Sequence, residues 1–136
     1  MIVIDASALI AFILKEPGWK LLTNYIANSI SVDHIIKEAM NAIWKAQVRG
    51  VISRGNAVML HDILISLIGK NIIIEPEEKY ISKAFMMAVD NGITVYDALY
   101  ITLAMNKGLP LLTLDNKQGE AAKRLGVNVI IPHDIT

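Results

Sequence analysis

Short apolar runs separated by helical segments constrain the fold of this sequence more than any other feature. The runs cover residues 2–4, 30–32, 72–74, 111–114 and 127–131. They lack the regular polar alternation of a strand with one face in water, so we interpret them as strands buried on both faces. Helices between consecutive strands indicate parallel pairing. We therefore predict a three-layer α/β/α sandwich with a central parallel sheet and a Rossmann-like topology.

The segments between these runs carry apolar residues at helical spacing. We predict helices over residues 6–14, 18–28, 34–49, 56–68, 76–90, 95–105 and 116–125. A length of 136 residues, with no internal repeat and no linker-like tract, is typical of one domain, so we predict a single domain over residues 1–136.

Composition narrows the classes of function. Hydrophobic residues make up 54% of the chain, enough for a sizeable core and for apolar surface that could contact a partner. The formal net charge is zero, so any contact with RNA requires a local basic patch. The absence of cysteine excludes disulfides and thiolate chemistry. No stretch reaches the roughly 18 to 20 apolar residues of a membrane helix, and the N-terminus does not resemble a signal peptide, so we expect a soluble, cytoplasmic protein.

Four acidic residues follow the predicted strands. Asp5 and Asp115 come directly after strands, Glu38 lies in the first turns of the helix after residues 30–32, and Asp97 lies at a helix start. Each has a structural alternative, because acidic residues commonly cap helices or are favoured by the helix dipole. Strand ends of a parallel sheet meet at one edge, however, and we expect at least three of these carboxylates to lie close together there.

Clustered carboxylates repel one another unless a cation lies among them. Oxygen-only ligands suit Mg²⁺ or Mn²⁺ better than zinc. The hydroxyls of Ser7 and Thr113 and the amide of Asn41 are weaker supporting candidates, and each has a local structural alternative. Neither a GxxxxGK[ST] loop nor a GxGxxG fingerprint occurs, so this chemistry favours metal-assisted hydrolysis of a phosphodiester.

Around these acids the sequence resembles the PIN-domain family, and in particular VapC-type toxins of toxin–antitoxin pairs. The segments that carry the resemblance span nearly the whole chain in order: VIDASALIAF, KEAMNAIWKA, ITVYDALYITLA and LLTLDNK. The resemblance implies a PIN-like fold and a metal-dependent endoribonuclease that acts on RNA. It also implies a homodimer and a small antitoxin that covers the active-site groove. The catalytic and metal-binding residues it implies are Asp5, Glu38, Asp97 and Asp115, with Thr113 and Ser7 in support.

Two features depart from the family pattern. Asp33 and His34 stand where the family often has small or hydrophobic residues, and few arginines are available to bind RNA. We consider Lys45 and Arg49 as candidate RNA contacts, although such charges are usually only solvated. His34, His61 and His133 have no metal-ligand spacing, so we expect structural roles for them.

Several alternatives remain open at this point. The helix over residues 56–68 is apolar around most of its circumference, so either a partner or neighbouring helices cover its second side. The chain could be a PIN nuclease of RNA processing or a catalytically silent binding module. Transfer through an aspartyl-phosphate is disfavoured, because Ser7 stands where phosphatases of that kind need an acid two positions after Asp5.

Overall fold

A computed structural model describes residues 1–132 of the chain. Its centre is a five-stranded sheet in the order β3-β2-β1-β4-β5, and every pairing is parallel. Val3 of the central strand lies opposite Ile30 on one side and Leu111 on the other. The strands are β1 (Ile2–Ile4), β2 (Ser29–Val32), β3 (Ile72–Glu75), β4 (Leu111–Leu112) and β5 (Val129–Ile130).

Helices flank both faces of the sheet, which confirms the predicted three-layer α/β/α architecture. Two 3₁₀ turns, Trp19–Leu22 and Glu77–Lys79, precede the second and fifth helices. The helices are α1 (Ala6–Ile13), α2 (Thr23–Ile26), α3 (His34–Val48), α4 (Arg54–Leu67), α5 (Ile81–Asn91), α6 (Val95–Lys107) and α7 (Asn116–Arg124). None of the helices among residues 1–132 combines the length and apolar character needed to cross a bilayer.

Several predicted boundaries were wrong. The helix expected over residues 18–28 is divided into a 3₁₀ turn and the four-residue α2. The helix expected from residue 76 begins only at Ile81, because residues 77–79 form a 3₁₀ turn and Tyr80 has a φ of −116°. The final strand covers two residues instead of the expected 127–131.

The strand expected over residues 111–114 ends at Leu112, and the side chains beyond it explain why. The amide of Leu114 donates to the hydroxyl of Ser7, and the amide of Asp115 donates to the hydroxyl of Thr113. Both backbone donors are therefore satisfied by hydroxyls instead of a neighbouring strand, and the chain turns towards α7.

Helix α6 occupies the middle of one layer. Residues 98–104 are all buried, on every side of the helix, because α6 packs between the sheet and α5. A helix with no solvated side in its central turns is an interior element. The side chains on α6 therefore have fixed positions relative to the strands β1 and β2.

A partly exposed ion pair ties α6 to the sheet edge at β3. The Glu75 carboxylate accepts hydrogen bonds from the Tyr80 hydroxyl at 2.6 Å and from the Lys107 ammonium at 2.8 Å. These donors, Lys107 first, lower the pKa of Glu75 to about 2. The end of α6 is thereby attached to the last residue of β3.

Helix α4 is covered on one side only. Leu60 and Leu64 are buried, whereas Met59 is 53% exposed and Ile63 39% exposed. Within residues 1–132, neighbouring elements therefore cover only one side of α4. The second side of α4 is an apolar surface.

Candidate active site

Asp5 lies directly after β1 and is almost fully buried. Its Oδ1 accepts hydrogen bonds from the Ser7 hydroxyl at 2.6 Å and from the Ala8 amide at 3.1 Å, so the residue caps α1. Its Oδ2 accepts a hydrogen bond from the Thr113 hydroxyl at 2.5 Å. Three donors from two strand ends therefore fix the direction of this carboxylate. The predicted capping role is confirmed and does not compete with a role in a site.

Asp115 lies across from Asp5, after β4. Its amide donates to the Thr113 hydroxyl at 3.0 Å, which links it to Asp5 through one side chain. The Asp115 carboxylate is exposed and caps α7 through Oδ1, which accepts from the amides of Lys117 and Gln118. The cap uses one carboxylate oxygen only.

Glu38 is held from two neighbouring elements. On α3 it is half-buried, and its Oε1 accepts a 2.7 Å hydrogen bond from the hydroxyl of Tyr100 on α6. The Nε2 atom of His34, one turn earlier on α3, lies 3.0 Å from the same oxygen. Tyr100 is fully buried, so its hydroxyl is a fixed donor.

Sequence reasoning missed Tyr100 and gave His34 only a structural role. Helical spacing carried a signal for both, since Tyr100 lies three residues after Asp97 and His34 four residues before Glu38. Helical spacing does not predict that α3 and α6 approach closely enough for their side chains to meet.

Asp97 is in the first turn of α6 and is half-buried. Its amide donates to the Thr94 hydroxyl at 3.1 Å, as the predicted capping box requires of the threonine. Burial raises the pKa of Asp97, and the negative charges of Asp115 and Glu38 raise it further.

The same influences act on the other groups. Burial raises the pKa of Asp5 from 3.8 to about 6, against three hydrogen bonds that lower it, and the charge of Asp115 adds to the rise. Burial, and next the charge of Glu38, raise the pKa of Tyr100, which keeps this phenol protonated as a donor. The charge of Asp115 thus acts on both Asp5 and Asp97, and the charge of Glu38 acts on Asp97, so these influences connect the four predicted acids in series near the strand ends.

The donor set fits a hard divalent cation by its chemistry. All four side chains offer carboxylate oxygens, and two of them have raised pKa values that a nearby cation would lower. Within residues 1–132, no three Asp, Glu or His side chains are already arranged as a coordination shell. The acids would therefore have to change their side-chain positions to bind an ion together.

The remaining predicted residues lie outside this network. Asn41 is exposed on the turn of α3 after Glu38, and none of the hydrogen bonds above involves it. Lys45 and Arg49 are exposed further along α3. His61 is exposed beside Asp62 on α4. His133 lies outside the described residues.

Comparisons with known proteins identify the family to which the chain is similar. A family model described as PIN domain matches residues 2–124. The chain is 30% identical over 122 residues to Ribonuclease VapC3 of Pyrobaculum aerophilum, an alignment that covers 88% of this chain and 92% of the relative.

Two solved structures share the fold. The crystal structure of PAE2754 from Pyrobaculum aerophilum has a TM-score of 0.71 and 26% identity, and the match covers 93% of this chain and 81% of that one. Mycobacterium tuberculosis VapC20, a toxin that cleaves the sarcin–ricin loop, has a TM-score of 0.67 at 17% identity, over 89% of this chain and 95% of that one. At that identity, VapC20 bears on the fold alone.

Proposed function

The chain belongs to the PIN domain family, and we propose that it is a divalent-metal-dependent endoribonuclease that hydrolyses RNA phosphodiester bonds. The observation that carries the proposal is that Asp115 influences both Asp5 and Asp97 and that Glu38 influences Asp97, near the edge where the strands end. A relative that covers most of the chain is named a ribonuclease. We infer that these four acids form the catalytic and metal-binding site.

The chain's own residues would position the reacting groups. Asp5 is oriented by Thr113 and Ser7, and Glu38 by Tyr100, so two of the acids are restrained before a substrate binds. Asp97 is in the first turn of α6, whose residues 98–104 are all buried. When bound, Mg²⁺ or Mn²⁺ lowers the pKa of a water ligand and neutralises charge on the phosphate.

Burial of Asp5 weighs against the aspartyl-phosphate alternative. The residue is 3% exposed, and its carboxylate accepts three hydrogen bonds. A nucleophile that attacks a phosphoryl group needs space for the phosphorus to approach in line, and the surroundings of Asp5 leave little.

Lys45 and Arg49 are proposed to contact the RNA backbone. They lie seven and eleven residues after Glu38 on α3, which places them on the same side of the helix at about 10 and 16 Å from it. Both are exposed, and among residues 1–132 neither forms a salt bridge. The net charge of the chain is zero, so binding of a phosphate backbone requires local positive charges. Lys45 and Arg49 would supply two of them beside the site.

We also propose that the protein is the cytoplasmic toxin of a VapBC-type pair and that it binds a small antitoxin and a second copy of itself. Two separate apolar surfaces support two protein partners. One is the groove between α3 and α4, where Trp44 is 59% and Val58 48% exposed. The other is the stripe on α5 formed by Ile81, Phe85 and Val89, each more than 40% exposed.

Calorimetry and an RNA cleavage assay test the nuclease proposal. We expect Mn²⁺ to bind the metal-free protein and Asp97→Asn to weaken that binding. The purified protein should cleave structured RNA with Mg²⁺ or Mn²⁺ present and lose the activity in excess EDTA. Cleavage that persists in EDTA would refute the metal-dependent mechanism. Metal binding without cleavage of any RNA would favour a silent binding module.

A further inference from the structure

An exposed aromatic ring stands beside the acidic site and is not used by the chemistry above. Tyr96 precedes Asp97 in the first turn of α6 and is 60% exposed. Its ring lies nearly parallel to the imidazole of His34, with 4.6 Å between centroids and 8° between planes. Two elements, α6 and α3, thus contribute one ring each to a stack at the rim of the site.

One face of the Tyr96 ring is available to a ligand. His34 covers the other face, yet more than half of the residue is exposed, so the solvent-exposed surface includes the face that points away from His34. The exposure has no packing explanation, because a tyrosine that contributed to the core would be largely buried.

The stack is rigidly connected to the acids. The His34 side chain is only 12% exposed, and its Nε2 lies 3.0 Å from Oε1 of Glu38, which also accepts the Tyr100 hydrogen bond. A base placed on Tyr96 would therefore have a defined position relative to Glu38 and Asp97. A fixed aromatic face beside phosphodiester chemistry is suited to positioning a nucleotide.

We propose that the open face of Tyr96 stacks on one unpaired base of the RNA next to the phosphodiester that is cleaved. This proposal rests on the proposed ribonuclease function and requires that the base next to the cleaved bond be unpaired. A base inside a duplex already has both faces stacked and is not available to the ring.

Charge explains why such a contact is needed. The acidic site repels the phosphates that it must approach, and the net charge of the chain is zero. Stacking on an uncharged ring supplies affinity that does not depend on phosphate contacts, and it tolerates any base because every base has a π-face.

The other strongly exposed aromatic residues occupy different surfaces. Trp44 lies in the groove between α3 and α4, and Phe85 lies on the apolar stripe of α5. Neither neighbours one of the four acids in the sequence or contacts one in the structure described above. Among residues 1–132, Tyr96 is therefore the strongly exposed aromatic side chain that lies next to one of the four acids.

Fluorescence of 2-aminopurine tests the stacking directly. The full chain carrying Asp5→Asn, which we expect not to cleave, is mixed in Mg²⁺ buffer with short single-stranded RNAs that carry 2-aminopurine at successive positions. Stacking should quench the probe at one position next to the bond that the wild type cuts. Tyr96→Phe should retain the quenching and Tyr96→Leu should abolish it. Absence of position-specific quenching, or quenching that Tyr96→Leu retains, would overturn the proposal.

Kinetics on the otherwise wild-type chain gives an independent readout. Tyr96→Leu should raise KM by about five-fold or more, while kcat changes by less than about two-fold, since a stacked base contributes binding and not chemistry. Tyr96→Phe should behave as wild type, and thermal unfolding should be similar for all three because the side chain is largely exposed. An unchanged KM in Tyr96→Leu would refute stacking and leave the nuclease intact. If the quenching depends on Tyr96 but the wild-type chain cleaves no RNA, the stacking proposal stands and the ribonuclease proposal is refuted.

Discussion

The hydroxyl of Thr113 donates a 2.5 Å hydrogen bond to Oδ2 of Asp5 and, through the same oxygen, accepts one from the amide of Asp115. One fully buried side chain thus sets the spacing between the two acids that follow β1 and β4. The threonine is a positioning residue, because its hydroxyl is engaged on both sides and has no role left in contacting substrate.

Replacing this hydroxyl should weaken both the fold and the site. Thr113→Val leaves a buried carboxylate oxygen and a backbone amide without that partner, and we expect the free energy of unfolding to fall by about 2 kcal/mol. Thr113→Ser retains the hydroxyl and is the control. Denaturant unfolding measures the stability, and kcat on RNA should fall for valine only. Equal activity of the two variants would contradict the positioning role.

Removing the Tyr100 hydroxyl should affect catalysis more than an equivalent change elsewhere. Tyr100→Phe deletes the donor to Glu38 and should lower kcat by about ten-fold, the equivalent of a hydrogen bond to a charged group. Tyr80→Phe is a matched control, since Tyr80 is also buried and donates to a carboxylate, Glu75, outside the site. Both variants should lose stability, and only the first should lose activity. Similar kcat values for the two would show that Glu38 needs no orientation by α6.

Neutralising Asp97 should remove activity and keep the fold. Asp97→Asn preserves volume and eliminates a charge that neighbouring acids disfavour, so cleavage should be abolished with little change in the melting temperature. Asp90→Asn, an exposed acid on α5, is the control and should cleave as the wild type does. The assay is RNA cleavage with Mn²⁺ together with thermal unfolding. Residual wild-type cleavage by Asp97→Asn would exclude it from the catalytic set.

Ionisation of Asp5 should destabilise the metal-free protein. Its pKa is about 6 in the folded chain and 3.8 ordinarily. Between pH 3.8 and pH 6 the folded state therefore binds more protons than the unfolded state, and the stability falls as the pH rises. The loss is complete above pH 6 and amounts to about 3 kcal/mol. In EDTA, Asp5→Asn should be the more stable protein at pH 7.5, by about 2 to 3 kcal/mol. If the difference in unfolding free energy between the wild type and Asp5→Asn were the same at pH 4.5 and at pH 7.5, the raised pKa of Asp5 would be contradicted.

Glu75 should show the opposite dependence in a lower pH range. Lys107 and Tyr80 hold its pKa at about 2, so its contribution is present above pH 4.5 and is lost as pH falls towards 2. Glu75→Gln should reduce stability at pH 7 by about 1 to 2 kcal/mol, allowing for solvent screening of the partly exposed ammonium. The difference from wild type should shrink on acidification. A constant difference from pH 7 to pH 2.5 would show that the ion pair contributes nothing.

The sheet could be predicted from sequence because burial on both faces leaves a pattern that is local. Residues 2–4 have no polar position and form the central strand, as that pattern predicts. Residues 72–74 are equally apolar, yet β3 lies at the sheet edge and Ile73 is 44% exposed, so the expected burial on both faces was wrong there. The end of β4 could not be predicted, because it depends on Ser7, which is distant in the sequence. The division of residues 18–28 likewise depends on tertiary packing that helical spacing does not encode.

The sequence could predict which acids lie near one another, but it could not predict which side chains orient them. Strand ends of a parallel sheet converge whatever the loops contain, so acids at those ends are expected to be neighbours. The partners of Glu38 depend on how α3 and α6 approach each other, which no local pattern specifies. The rings of His34 and Tyr96 meet for the same reason.

The enclosure of α6 has a practical consequence for mutational surveys. Residues 98–104 hold the interior together, and the same helix carries Asp97 at its first turn and Tyr100 beneath Glu38. A substitution that loosens this helix would damage folding yield and turnover at once. A genetic screen scored on loss of RNA cleavage would return both kinds of lesion from one stretch of sequence, and only protein abundance would separate them.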